Sequence, residues 1–155
     1  MAFDIFLKLT GGDGVLIKGE SVVKGHENQI EVHSFSWGES RDAGATDPQE
    51  MALVTPMSVA SPTIAKVCAE GTPVSLAEIS VVRVGGEVGT PVVIRLGNLR
   101  IGSYQLGVAE TDPGLSDRFT LSFASMEITK RQQNPATGAT AGEVTSTLSF
   151  PPPVT

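Results

Sequence analysis

Along most of the chain, apolar and polar residues alternate with a period of two, the pattern of strands that bury one face. Phe3, Ile5, Leu7 and Leu9 alternate with Asp4, Phe6 and Lys8. This predicts a first strand that ends at Gly11-Gly12-Asp13-Gly14, where glycine permits the positive φ of a tight turn. From Gln29 to Trp37 a second strand is expected, with Glu31, His33, Phe35 and Trp37 on one face and Ile30 and Val32 on the other. Residues 39–50 are polar, small and aperiodic, and read as a long loop, a feature that usually carries a function in a compact domain. Met51 to Val59 resumes an extended pattern, and Pro56 within it argues for an edge strand.

Ser61-Pro62 opens the one predicted helix. A serine oxygen can accept from free amides of the first turn, and proline fits the first helical positions because its missing N–H is not needed there. Ile64, Val67 and Cys68 fall at i, i+3 and i+4, so they form the stripe expected to pack on the core. Gly71 suits a left-handed C-terminal cap. A helix this short depends on tertiary packing.

Beyond Gly71 the alternation returns in Val74 to Val84, Val92 to Leu96, Leu99 to Val108, Arg118 to Ile128 and Val144 to Phe150. Gly85-Gly86 and Gly97-Asn98 have the residue types of hairpin turns. Asp112-Pro113-Gly114 and a loose stretch from Gln132 to Gly142 mark further breaks, and Pro151 to Pro153 cannot continue a sheet. Phe119, Leu121 and Phe123 make the cleanest inward face. The expectation is a mainly β, all-β fold: one domain over residues 1–155, a β-barrel or sandwich of about eight antiparallel strands with one short α-helix.

Charge and composition narrow the function. The net charge is −6, and the eleven basic residues stand singly except for Lys130-Arg131. Without a basic stripe there is no electrostatic footprint for nucleic acid and little attraction to anionic lipid. The apolar runs are too short to insert in a bilayer. Asp4 stands where a secretory signal would need a basic region, so synthesis in the cytoplasm without a signal peptide is expected. The single cysteine, Cys68, allows no internal disulfide.

Candidate chemistry is sparse. His26 and His33 have no paired ligand spacing with each other or with Cys68, so no metal site is expected. Cys68 on an apolar stripe reads as a small hydrophobe rather than a nucleophile. Asp4, Glu31, Glu78, Glu110 and Glu127 could in principle pair as acid and base, but scattered carboxylates are usually solvated faces. No glycine-rich phosphate loop precedes a helix, and one Trp and one Tyr make a poor stacking platform. The chain reads as a structural protein, not an enzyme, with no cofactor. A sheet-rich body with an open edge is suited to repeated self-contact, which gives rings or filaments.

Several segments, in order, resemble the haemolysin-coregulated (Hcp) proteins of type VI secretion. They are Phe3-Asp4-Ile5-Phe6-Leu7-Lys8-Leu9, Lys18-Gly19-Glu20-Ser21, and His26 with Gln29 to Gly38. Ser61-Pro62 with Ile64 and Gly71, Leu99 to Tyr104, and Arg118 to Phe123 with Met126-Glu127-Ile128 continue the likeness over essentially the whole chain. It departs at Thr55 to Ala60, where the family often carries Lys and Asp, and at Gln132 to Gly142. The resemblance implies a β-barrel subunit of hexameric rings that stack into a tube. It further implies a surrounding sheath, a tip spike, ejection from the cell, and small effectors carried and chaperoned in the lumen. An extended loop near residues 39–50 is implied to reach the adjoining ring, so Arg41, Asp42, Asp47 and Glu50 are expected to make inter-ring contacts. A phage-type tail tube protein and, from a different class, a carbohydrate-binding β-sandwich are the alternatives.

Overall fold

The computed structural model describes residues 3–42, 45–48, 50–83, 92–108, 114–133 and 140–149. Among the described residues, eleven strands and one helix follow in chain order: β1 Phe3–Gly11, β2 Leu16–Ile17, β3 Ile30–Val32, β4 Ser34–Ser36, β5 Glu39–Asp42, β6 Ala45–Pro48, β7 Met51–Pro56, α1 Ser61–Glu70, β8 Val74–Arg83, β9 Val92–Val108, β10 Leu115–Gln133 and β11 Thr140–Ser149. Nine strands form one antiparallel sheet along the path β2-β1-β8-β9-β10-β7-β4, with β11 on β10 and β3 on β1. The fold is therefore mainly β, as the alternation predicts.

The sheet curves around one apolar cluster. Leu7 and Leu9 from β1, Ile79 from β8, Leu96 from β9, and Leu121 and Met126 from β10 are all fully enclosed. Each such side chain contributes about 1.5–3 kcal/mol by leaving water. Phe119, Leu121 and Phe123 are buried together, the inward face their spacing predicts.

The segment from Ile30 to Trp37 is not one strand. Ile30 to Val32 pairs with β1, and Ser34 to Ser36 pairs with β7. Between them the His33 amide donates to the Val54 carbonyl at 2.7 Å. The break resets the two-residue alternation, so Ile30 and Val32 are buried while Phe35 and Trp37 pack against the same core. The expected division of these four residues between two faces is overturned, because a strand that changes partner also changes which parity faces inward. Since β1 and β7 lie toward opposite ends of the path, this segment bridges its two flanks.

Three other expectations change. Met51–Pro56 is not an edge, since it pairs with both β10 and β4, and Pro56 stands at its last residue, opposite Ser116. Gly97-Asn98 does not turn the chain. Asn98 takes a φ of 49°, the turn-like conformation its type suggests, but β8 and β10 both continue to pair at Gly97 and Leu99. The turn signal is thus absorbed as a local kink in β9. The stretch from Gln132 to Gly142 is also partly strand, because Gln132 pairs with Gly142 and Gln133 with Thr140. Gly85-Gly86, Asp112-Pro113 and the Pro151–Pro153 tail lie outside the described residues.

Helix α1 begins differently from its sequence signal. Ala60 is the N-cap and makes no side-chain cap bond. The Ser61 hydroxyl instead accepts from the Ser58 amide at 3.0 Å and turns into the body. At the other end Gly71 is left-handed, φ 67°, and its amide and that of Thr72 donate to the Cys68 and Val67 carbonyls. Arg100 adds a bond from Nη1 to the Gly71 carbonyl at 2.5 Å, placing a cation at the negative end of the helix. Ile64 is 1% exposed, and Val67 and Cys68 pack half-buried on the core.

The helix packing gives a direct comparison. Ile64→Ala removes a buried side chain and should cost about 2–5 kcal/mol of unfolding free energy. Lys66 makes only an exposed pair with Glu70 at 3.9 Å, so Lys66→Ala should cost no more than about 0.5 kcal/mol. Denaturant melts that displace both variants equally would contradict this packing.

Candidate functional site

Among the described residues, no group of three or more His, Cys, Asp or Glu side chains is placed to hold a metal ion. Nor is any helix there long and apolar enough to cross a membrane. The polar geometry lies in two clusters on the body and in a hairpin beside it.

The first cluster sits beneath the start of α1. Asp117 on β10 is 1% exposed. The Ser61 hydroxyl donates to its Oδ2, and the Tyr104 hydroxyl donates to its Oδ1 at 2.8 Å. A buried carboxylate is tolerable only when its oxygens are hydrogen-bonded, and here both are. The carboxylate thereby ties the first residue of α1 to β9 and β10. Burial first, then the hydrogen bond to Asp117 and its negative charge, push the Tyr104 phenol from 10.0 up to about 12.

The second cluster runs across the sheet. Lys8, Glu78, Arg95 and Glu127 stand in register on the adjacent strands β1, β8, β9 and β10. Arg95 Nε donates to Glu78 Oε2 at 3.0 Å, and Nη1 donates to Glu127 Oε1 at 3.1 Å. Charge alternates in sign along the row, so every direct neighbour is attractive. Each partly exposed pair contributes about 0.2–1 kcal/mol. Two carboxylates that read as scattered in the sequence are thus brought to one guanidinium, an arrangement that braces three strands.

The His26 side chain has structural partners. The His26 ring stacks on Phe6 with centroids 4.4 Å apart and planes 8° from parallel, and its Nδ1 lies 3.1 Å from Gln29 Oε1. This explains why Phe6, on the face of β1 opposite Leu7, is nevertheless buried. His33 is exposed at the strand break.

Residues 39–50, expected as an irregular loop, contain a hairpin. Glu39–Asp42 and Ala45–Pro48 pair antiparallel with Arg41 opposite Thr46 and Ser40 opposite Asp47, as a two-stranded sheet separate from the main one. The polar composition conceals the ribbon because no face of it supplies an apolar alternation to detect. Arg41, Asp42 and Asp47 lie in this hairpin, whereas Glu50 lies outside it. The Glu50 carboxylate rests over Gly102 of β9, so near that a Cβ there would stand 2.7 Å from Oε1. Gly102 is the extra residue where the β9–β10 register shifts, because Ile101 and Ser103 pair with Leu121 and Thr120. The four residues expected to act together are therefore divided between the hairpin and the body.

The family model described as "Type VI secretion system effector, Hcp" matches residues 6–129. The chain belongs to the Hcp family. Its fold is that of solved Hcp structures. With Hcp1 from Salmonella typhimurium it shares a TM-score of 0.79 and 24% identity over 96% of both chains. With a type VI secretion system effector from Yersinia pestis the TM-score is 0.79 and identity 19%, over 95% of this chain and all of the other. With Hcp3 from Pseudomonas aeruginosa, described as a secreted protein, the values are 0.75 and 14% over 97% and 99%. No curated protein sequence matches.

Within this Hcp-family chain, the Asp117 cluster and the Arg95 row were not anticipated from sequence. The available signals were Asp117 in an otherwise regular strand, a lone tyrosine, and the polar phase that Glu78, Arg95 and Glu127 each occupy between apolar neighbours.

Tyr104 is the chain's one tyrosine, so ultraviolet titration of tyrosinate reads it alone. Ionisation should centre near pH 12 in the folded protein, and Asp117→Asn should move it down toward 10 while burial keeps it above that value. The unfolded phenol ionises near 10, so stability from this group is whole below pH about 10 and is lost as pH rises through about 12. A folded-state value at 10 would contradict the cluster.

Proposed function

We propose that this chain is a structural subunit of the type VI secretion inner tube, assembling as hexameric rings that stack and are ejected. The observation that carries the proposal is the match of the Hcp family over residues 6–129, on a sheet whose Hcp-like fold extends over nearly the whole chain. The described geometry supports a structural rather than catalytic role: its buried carboxylate holds a helix in place, and its surface carboxylates brace strands. Sheath and tip spike proteins are the partners this role requires. Small effectors held in the ring's lumen are the proposed cargo, with the ring as their chaperone. Made in the cytoplasm, the protein leaves the cell through the type VI apparatus.

The hairpin β5–β6 is the proposed contact between stacked rings, through Arg41, Asp42 and Asp47, with Glu50 at its base. Its strands pair only with each other among the described residues, which leaves the ribbon available to a neighbour. Individual exposed ion pairs contribute about 0–1 kcal/mol, and a ring repeats each one around its circumference.

Gel filtration with light scattering should give about six times the 16.2 kDa chain mass. A monomer at micromolar concentration would overturn the assembly. Replacing residues 41–47 by a short Gly-Ser linker should leave that mass unchanged but abolish stacked rings and secretion. Normal secretion by a strain carrying only the replaced chain would remove the hairpin from the mechanism.

A further inference from the structure

Two apolar features lie toward opposite ends of strand β1. At its C-terminal end a groove of about 800 Å³ opens between the 11–18 turn and α1, with Val15, Ile17, Val59 and Val67 in its walls and Asp13 and Lys18 among its lining residues. Val15 is 62% exposed and Val59 61%. Toward the N-terminal end the loop between β2 and β3 carries Val22, 90% exposed, and Val23, which lies beside Phe3, Asp4, Ile5 and Phe6. Phe3 to Gly11 spans roughly 27 Å at the rise of an extended strand, so knob and groove do not satisfy each other within one copy.

The loop that presents Val22 is held from inside. The Gly19 amide donates to the Asn28 carbonyl and the Asn28 amide to the Ser21 carbonyl, both at 2.8 Å, and the His26 amide donates to the Val23 carbonyl at 2.9 Å. Ser21 is buried, and His26 is stacked on Phe6. A tip fixed in this way loses little conformational freedom on docking. Its β-branched valines match the apolar chemistry of a valine-lined groove. The charges match as well: Glu20, Lys24 and Glu27 flank the tip, and Asp13 and Lys18 flank the groove.

We propose that the Val22-Val23 tip of one copy seats in the groove between the 11–18 turn and α1 of the next, joining copies head to tail. Such a contact is heterologous: each copy offers a knob to one neighbour and a groove to the other, so the contact propagates through a ring or a stack. The proposal rests on the tube-subunit reading for the identity of the partner, a second copy of this chain. It adds the surfaces by which copies recognise one another, and it is separate from the β5–β6 hairpin. Lys24 then lies against Asp13, and Glu20 or Glu27 against Lys18.

The test uses the full-length chain in two cysteine variants, Val22→Cys and Val59→Cys, both at exposed positions. Each is treated with a short bismaleimide alone and after mixing, and the products are mapped by mass spectrometry. The unsubstituted chain, with Cys68 only, is the control. The mixture should give a covalent dimer linked from position 22 to position 59, and neither variant alone should give that link. Val22→Asp should lower the assembled fraction at least tenfold at fixed concentration without changing the melting temperature, whereas Val22→Ile should leave it intact. Links from position 22 to position 22 would show a two-fold contact and overturn the head-to-tail arrangement. Normal assembly of Val22→Asp with no 22-to-59 link would overturn this contact and leave the tube-subunit reading standing. Failure of the unsubstituted chain to assemble would overturn both.

Discussion

The backbone pairing of residues 30–36 is the constraint on which the rest of the structure depends. A curved sheet leaves two flanks whose amides and carbonyls need partners. Here one short segment serves both, with Ile30 to Val32 on β1 and Ser34 to Ser36 on β7. The change of partner at His33 directs Ile30, Val32, Phe35 and Trp37 into a single core. Without that change, half of these side chains would face water and the two flanks of the sheet would part.

Once the flanks are held, the remaining polar groups become braces. Asp117 fixes the beginning of α1 through Ser61, Arg100 holds its end at Gly71, and Ile64 fills the space between. The Arg95 row joins β8, β9 and β10 from the exposed side. His26 closes the 18–29 loop over Phe6. Each of these interactions is modest, but they act on different elements, so together they specify one arrangement of helix, loop and sheet.

Strand existence, the helix and the buried face of β10 were legible in the sequence because their apolar spacing is regular. Phe119, Leu121 and Phe123, and Ile64 with Val67 and Cys68, carry a full periodic signal. What could not be read were events that interrupt periodicity without ending a strand. The His33 break and the Asn98 kink keep their neighbours paired, so only tertiary context separates them from an unbroken strand or a true turn. The β5–β6 ribbon has no apolar face to announce it. The Asp117 cluster unites residues as far apart in sequence as Ser61 and Asp117, a relation that no local pattern contains. Membership of the Hcp family was legible from short segments kept in order, although identity to the solved relatives is only 24% or less in the cases compared.

The central claim is that this fold is a repeating brick of a secretion tube. Negative-stain electron microscopy of the purified full-length chain tests it most directly. The account predicts end-on rings with six equivalent subunits around an open lumen, and side views of such rings in register. A field of separate single subunits at micromolar concentration, or closed two-fold dimers with no lumen, would contradict it.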